Sequence, residues 1–205
     1  MIGKIKAVVF DCDGVMFDSQ QANLAFYNQI FRHFGVADVT PDQHERVNVC
    51  HTASSPQVFD VLLGPERVDE ATSYAASVDY SQFIPQLLPE PGLLTVLERL
   101  AVCYPLAIAT NRGSSMVKIL EYFNLSHYFS HVVTHLDVER PKPNPDILFE
   151  AAKRLGQTTD ELLFIGDSEF DKQAAQGSGC LFVSYKWDGG VRIDHHTDLL
   201  KILNM

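Results

Sequence analysis

Two aspartates with one residue between them, Asp11 and Asp13, follow the run Ile5 to Phe10, apolar but for Lys6, and precede Gly14. Residues two apart on a strand point the same way, so both carboxylates would share one side of a strand's C-terminal end, where glycine lets the chain turn. Like charges held that close repel unless a cation lies between them. A hard divalent ion with oxygen ligands suits such a pair, and magnesium suits it best where phosphate is also bound. Standing alone, the pair reads equally well as a solvated Asp-Gly turn, so the chemistry depends on partners further along the chain.

Partners recur at the ends of later apolar runs. Asp11, the first acid, is placed to act as a nucleophile that takes up a phosphoryl group, and Asp13 as the general acid and base beside it. Thr110 and Asn111 follow the run Pro105 to Ala109 and offer a hydroxyl, an amide and main-chain N–H groups to phosphoryl oxygens, although a plain helix cap would use the same residues. Lys142 lies in Arg140-Pro-Lys-Pro-Asn-Pro-Asp146, where prolines stiffen the loop and direct a side chain able to neutralise phosphate oxygens. Asp167 and Asp171, four apart at a helix start, fall on one face, the first toward a metal and the second behind it.

The elements that must carry these groups alternate. Strands are expected at Ile5–Phe10, Pro105–Ala109, His131–Thr134, Leu162–Ile165 and Cys180–Tyr185. Helices are expected at Gly92–Val102, Ser114–Phe123, Pro145–Leu155, Glu169–Gln176 and Thr197–Leu203. Five strands alternating with helices make an α/β fold with an open, doubly wound parallel sheet, and ligands bind such sheets outside the carboxyl ends of the strands. Between the first strand and the rest, residues 17–89 show only helical spacing: Ser19 to Gly35, Thr40-Pro41 through Val47, Ser55-Pro56 through Leu63, and Pro65 toward Phe83. The expected division is therefore a core of residues 1–16 and 90–205 with an all-helical insertion over 17–89.

Composition narrows the function further. With 46% hydrophobic and 20% charged residues among 205, the chain should fold as an ordinary globular protein. Its 16 basic and 26 acidic residues give a net charge of −10 with no basic run, which argues against nucleic-acid or anionic-membrane partners. The opening apolar run is cut off at Asp11, leaving neither a signal-peptide core nor a spanning segment, so a cytoplasmic location is expected. The four cysteines are far apart and read as reduced thiols. His127, His131 and His135 fall four apart, but on a strand and its flanks rather than one helix, and do not read as a zinc site. His195-His196 reads as an exposed tail pair, and Trp187 to Gly190 as a turn shaping the crevice wall.

The ordered set Asp11-Cys-Asp13-Gly14-Val, Thr110-Asn111, Lys142-Pro-Asn-Pro-Asp and Gly166-Asp167-Ser-Glu-Phe-Asp171 resembles the four motifs of the haloacid dehalogenase-like superfamily over essentially the whole chain. Within it, the sequence is similar to the phosphoglycolate phosphatase and β-phosphoglucomutase group, whose helical cap follows the first motif. The resemblance implies a Rossmann-like core and a magnesium ion held by Asp11, Asp167 and the backbone carbonyl of Asp13, with Asp171 behind them. It also implies that Thr110, Asn111 and Lys142 bind the transferring phosphoryl group while the cap closes over a small phosphorylated metabolite.

Other reactions of the superfamily fit less well. Dehalogenases lack an acid two residues after the nucleophile, and phosphonate hydrolysis of the phosphonoacetaldehyde type needs a cap lysine, whereas none occurs between Lys6 and Lys118. β-Phosphoglucomutase-like mutases hold a second phosphate with basic cap residues, and here the cap offers only Arg32, Arg46 and Arg67. A monophosphate hydrolase is expected ahead of a mutase. Arg46, Asn48 and His51, around the turn before Ser55, are the expected specificity residues. A phospho-acceptor or phosphate-binding module without turnover is the alternative from another class; receiver domains use similar groups but carry their aspartate on a later strand and have no helical cap.

Overall fold

The structure is a computed structural model described over residues 4–205, so the first three residues of the expected 1–16 core segment lie outside the described residues. The first strand, β1 (Ala7–Phe10), is buried along its whole length and is central in the sheet. A strand covered on both faces needs no alternation of polar and apolar residues, which is why its sequence is a continuous apolar run. After it come β2 (Phe17–Asp18), α1 (Gln20–His33), α2 (His44–Thr52), α3 (Ser55–Leu63), α4 (Val68–Ser77), β3 (Leu88–Pro89) and α5 (Leu93–Leu100). The rest alternates: β4 (Leu106–Thr110), α6 (Ser115–Tyr122), β5 (Phe129–Thr134), α7 (Asp146–Leu155), β6 (Leu162–Gly166), α8 (Glu169–Ser178), β7 (Leu181–Tyr185), β8 (Val191–Ile193) and α9 (Asp198–Ile202).

The main sheet has the order β5-β4-β1-β6-β7-β8, and every neighbouring pair is parallel. The two-residue period of the strands sorts the core into two layers. Val8, Phe10, Ile108 and Ile165 pack with α5, α6 and α9 on one face, and Ala7, Val9, Ala109 and Phe164 with α7 and α8 on the other. Helices on both faces leave only the strand ends open to ligands. Since β1 lies between β4 and β6, the chain segments after Phe10, Thr110 and Gly166 emerge side by side.

The helices α1 to α4 gather around a third apolar cluster of their own, including Tyr27, Phe31, Val47, Phe59 and Ala71. This helical insertion joins the sheet through β2 and β3, which pair antiparallel with Phe17 opposite Pro89 and Asp18 opposite Leu88.

Several expectations are corrected in detail. The insertion is not wholly helical, because its two ends form that short ribbon. The second helix starts at His44 rather than Thr40, since Thr40 to Asp42 form a turn held by the Gln43 side chain on the Thr40 N–H. The long helix expected from Pro65 to Phe83 is broken: Pro65–Arg67 is a 3₁₀ turn, α4 stops at Ser77, and Asp79 caps a new 3₁₀ turn by accepting from the Ser81 N–H. A sixth strand, β8, extends the sheet beyond the expected five. His196 is not in an exposed tail; it is fully buried. Among the described residues, no helix is long and apolar enough to cross a membrane.

Candidate active site

The loop after β1 is compact. The N–H groups of Met16 and Phe17 both donate to the Cys12 carbonyl, and Gly14 donates to Phe17. Gly14 has φ +71°, and a β-carbon there would lie 1.8 Å from Asp167 Oδ2. Glycine is thus required twice over, by its backbone and by the approach of an acid from β6. Gly166 is constrained likewise, since a β-carbon on it would meet the Asp171 side chain at 2.3 Å.

Lys142 is the positive centre of the acid cluster. It is only 2% exposed, and its Nζ lies 2.9 Å from Asp11 Oδ1 and 2.6 Å from Asp171 Oδ1, also donating to the Ala109 carbonyl. Burial alone would lower the lysine's proton affinity, but Asp11 and Asp171 outweigh it and push it up, so the ammonium is fixed. Its loop is tied to the one after β4: the Lys142 N–H donates to Asn111 Oδ1 at 2.9 Å, and Asn111 Nδ2 donates back to the Lys142 carbonyl at 3.1 Å. Asn111 also donates to the Thr52 carbonyl of the insertion, so its side chain is a brace between three segments.

Asp11, Asp167 and Asp171 bring carboxylate oxygens within 4.8 Å of one another, the one group of acids, histidines or cysteines among the described residues close enough to hold a metal ion. The contact from Lys142 to Asp11 Oδ1 is ionic and poorly angled, leaving that buried oxygen without a hydrogen-bond donor among the described residues. Burial, with Asp171 and Asp13 nearby, raises the Asp11 acid to about 7, and burial with Asp171 and Asp11 raises Asp167 well above the usual carboxylate range. A donor-less buried oxygen and two carboxylates that resist ionising fit a divalent cation, which would reverse both effects. Asp171 has less to offer it: Oδ1 is engaged by Lys142, and Oδ2 accepts from the Ser168 N–H and hydroxyl.

Asp13 faces the other way, toward the insertion. Its Oδ1 accepts from Arg112 Nη2 at 2.5 Å, Asn23 Nδ2 at 3.0 Å and the Ser19 hydroxyl. Burial would raise its acid, but Arg112, His51 and Ser19 together hold it below the usual range. Arg112 also donates to Asn23 Oδ1, and its guanidinium sits 5.1 Å from the Tyr80 ring centroid, with the Tyr80 hydroxyl donating to Asn23 as well.

Above the strand ends lies a cavity of about 220 Å³ between core and insertion. Asp11, Asp13, Thr110, Asn111 and Arg112 form its floor, and His51, Tyr27, Tyr80 and Ser55 its roof. Of the three residues expected from the insertion, only His51 reaches it, with Nε2 3.8 Å from Asp167 Oδ2. Asn48 is exposed one turn earlier on α2, and neither it nor Arg46 lines the cavity. The Trp187 to Gly190 turn does not line it either, whereas His135 does, its Nδ1 3.0 Å from the Asn111 carbonyl. Arg112, Asn23 and Tyr80 escape sequence reasoning. The signal for Arg112 was the need of an anionic substrate for local positive charge beside Thr110-Asn111; Asn23 and Tyr80 sit among helical spacings that mark no site.

A parallel sheet with acids, a hydroxyl and a buried lysine at its carboxyl edge, under a helical roof, defines a hydrolase of the Rossmann-like type, and sequence comparison makes the assignment definite. The chain belongs to the haloacid dehalogenase-like hydrolase family, whose pattern it matches over residues 8–184. It is 37% identical to the phosphoglycolate phosphatase of Salmonella paratyphi A, covering 98% of this chain and 93% of that protein. The phosphoglycolate phosphatase of Escherichia coli K12 is 30% identical over 93% of this chain and 85% of its own. A subfamily IA hydrolase of the superfamily from Geobacter sulfurreducens superposes with a TM-score of 0.85 at 37% identity, covering 97% of this chain and all of that one. β-Phosphoglucomutase from Clostridium difficile shares the fold, with a TM-score of 0.79 at 17% identity over 95% of this chain and 93% of that one.

Proposed function

We propose that the protein is a magnesium-dependent phosphatase of small phosphomonoesters, of the phosphoglycolate or sugar-phosphate kind, working through an aspartyl-phosphate on Asp11. The observation that carries this reading is Lys142, fixed as a cation between Asp171 and Asp11 and held against the Asp11 carboxylate that lines the cavity floor. A phosphoryl group brought to Asp11 would meet the ammonium and the Thr110 hydroxyl, and charge placed in advance where a transition state is anionic is the largest usual source of catalysis. Asn111 serves by holding the Lys142 loop in place.

In the first step an Asp11 oxygen bonds to phosphorus as the bond to the leaving oxygen breaks, and Asp13, ionised at rest, relays to that oxygen the proton that the ester monoanion carries in. In the second, water attacks the phosphorus of the aspartyl-phosphate, Asp13 takes its proton, and Asp11 leaves as a carboxylate. Asp11, Asp167 and the Asp13 carbonyl would hold the magnesium ion, with Asp171 behind them, and the ion supplies charge neutralisation that lets an anionic ester approach three acids. The helical insertion over residues 17–89 acts as a cap that excludes water while the first bond breaks.

The cavity, at about 220 Å³, lies below the roughly 300–1,000 Å³ common for drug-sized ligands, which favours a short leaving group. None of Arg32, Arg46 and Arg67 lines it, so the insertion offers a second phosphate no arginine, and hydrolysis is favoured over phosphoryl transfer within a sugar. The partner is thus a small phosphorylated metabolite, encountered in the cytoplasm where such esters are made. The test is hydrolysis of an aryl phosphate, then of phosphoglycolate, sugar phosphates and nucleotides, with and without magnesium. Release of inorganic phosphate only with the ion, from the short esters foremost, is expected; a product with its phosphate at a new position, or no turnover of any ester, overturns the reading.

A further inference from the structure

His196, far from the catalytic motifs in sequence, is fully buried behind the first of them. Its Nε2 lies 2.7 Å from the carbonyl of Val15, which can only accept, so Nε2 carries the proton. Its Nδ1 is buried and has no hydrogen-bond partner among the described residues. A purely space-filling aromatic would avoid that orphaned nitrogen, so the bond to Val15 is what histidine provides here. The ring stacks on Tyr185, with centroids 4.5 Å apart and planes at 21°, and also touches Phe10, the residue before Asp11.

Tyr185 carries the contact across to the other connection with the insertion. Its hydroxyl donates to Glu90 Oε2 at 2.9 Å, and Lys186 Nζ meets the same oxygen at 2.5 Å. Glu90 follows β3 directly, and its N–H donates to the Met16 carbonyl at 2.9 Å. One short segment, residues 185–196, therefore grips the outgoing crossing at Val15 and the returning one at Glu90, while those two are also bonded to each other. Val15 is two residues from Asp13 and two from Phe17, on a loop so tight that its carbonyl cannot shift without carrying Asp13 along.

We propose that His196, with Tyr185 stacked on it, is a positioning residue that fixes the Asp11 to Phe17 loop from behind and holds both crossings to the helical insertion as one unit. It touches no substrate and works through the Val15 carbonyl. The catalytic half of this inference rests on the phosphatase reading above; the mechanical half does not.

Three variants test it: His196→Gln, which keeps an N–H at the same reach, His196→Leu, which removes it, and Tyr185→Phe, which keeps the stack but removes one of the two side-chain donors to Glu90 Oε2. Turnover of an aryl phosphate with magnesium and amide hydrogen exchange at Met16, Phe17 and Glu90 are the readouts. His196→Leu should lose kcat by about tenfold or more with KM changed little, because a misplaced Asp13 affects the chemical step, and His196→Gln should recover most of it. In Tyr185→Phe, exchange should quicken at Phe17 as well as Glu90, although the two are far apart in sequence. Wild-type kcat in a folded His196→Leu, a glutamine variant as impaired as the leucine one, or quickened exchange confined to Glu90 overturns the proposal. Should His196→Leu fail to fold, the Tyr185→Phe exchange pattern decides. An inactive wild-type protein would overturn the phosphatase reading and leave the exchange result to judge the tie between the crossings.

Discussion

Arg112 Nη2 lies 2.5 Å from Asp13 Oδ1, joining the loop after β4 to the loop after β1 across a sequence distance of 99 residues. The same nitrogen reaches Asn23 on α1, so one guanidinium binds two core loops to the insertion. Replacing it with methionine would leave Asp13 buried and charged with its main counter-ion gone, a loss of about 3–5 kcal/mol. Because the Asp13 acid is held below the usual range, this contribution is present at neutral pH and fades as pH falls through its folded value. Urea unfolding of the wild type and Arg112→Met should thus differ widely at pH 7 and converge in acid. Arg112→Lys should restore only part of the difference, since an ammonium lacks the flat guanidinium that lies by the Tyr80 ring while one of its nitrogens meets Asp13.

Asp11→Asn removes the proposed nucleophile while keeping its volume. Phosphate release should fall by at least about 10³-fold. The far-ultraviolet circular dichroism should stay that of the wild type, because Lys142 keeps its 2.6 Å partner in Asp171. Measurable turnover in this variant would place the nucleophile elsewhere.

Divalent ions should stabilise the protein in a pH-dependent way. Without one, Asp11 and Asp167 hold protons in the folded state at pH values where the unfolded chain has released them, burial being the first cause. Stability of the ion-free protein should therefore decline as pH rises from the ordinary value of 3.8 toward about 7. Magnesium at about a hundred times its dissociation constant should add about 2.7 kcal/mol, or roughly 5–10 °C in Tm for a chain of this size. A thermal scan with chelator and with magnesium at pH 5 and pH 7.5 checks this, with the larger shift expected at the higher pH.

With magnesium saturating, His196 should govern the acid side. Burial lowers its pKa to about 4 from 6.5, so the folded state keeps the ring neutral where the unfolded chain takes up a proton. Stability is full above pH 6.5 and falls as pH drops toward 4, by up to about 3 kcal/mol. His196→Gln, which does not titrate, should flatten that slope in urea unfolding followed between pH 7 and pH 4.5.

What the sequence disclosed follows from the range of the forces involved. The acid pair of Asp11 and Asp13 stood out because a buried strand must end where charge begins, and the same contrast marked Thr110 and Asp167. β8 was invisible: three residues with Arg192 in the middle, at the sheet edge, carry no apolar run. The β2–β3 ribbon is two residues a side and exists only because distant segments meet. Arg112 and His196 were legible as residues but not as parts of a site, since each takes its meaning from a partner 99 or 181 positions away. Asn48 and His51 looked alike in sequence; the turn of α2 that sends one to solvent and the other over Asp167 was not legible there.

The ribbon of Phe17, Asp18, Leu88 and Pro89 has one more consequence. Both joints of the helical unit lie in a single ladder two rungs long, so everything from Ser19 to Leu87 could be exchanged as a cassette without cutting any strand of the main sheet. The acids and Lys142 would stay behind as an anvil, Asp13 keeping Arg112 but losing Ser19 and Asn23, while Asn23, His51 and Tyr80 would leave with the old roof. On the phosphatase reading, selectivity and bond-breaking would fall largely on separable pieces of chain, and new preferences could arise by changing the former.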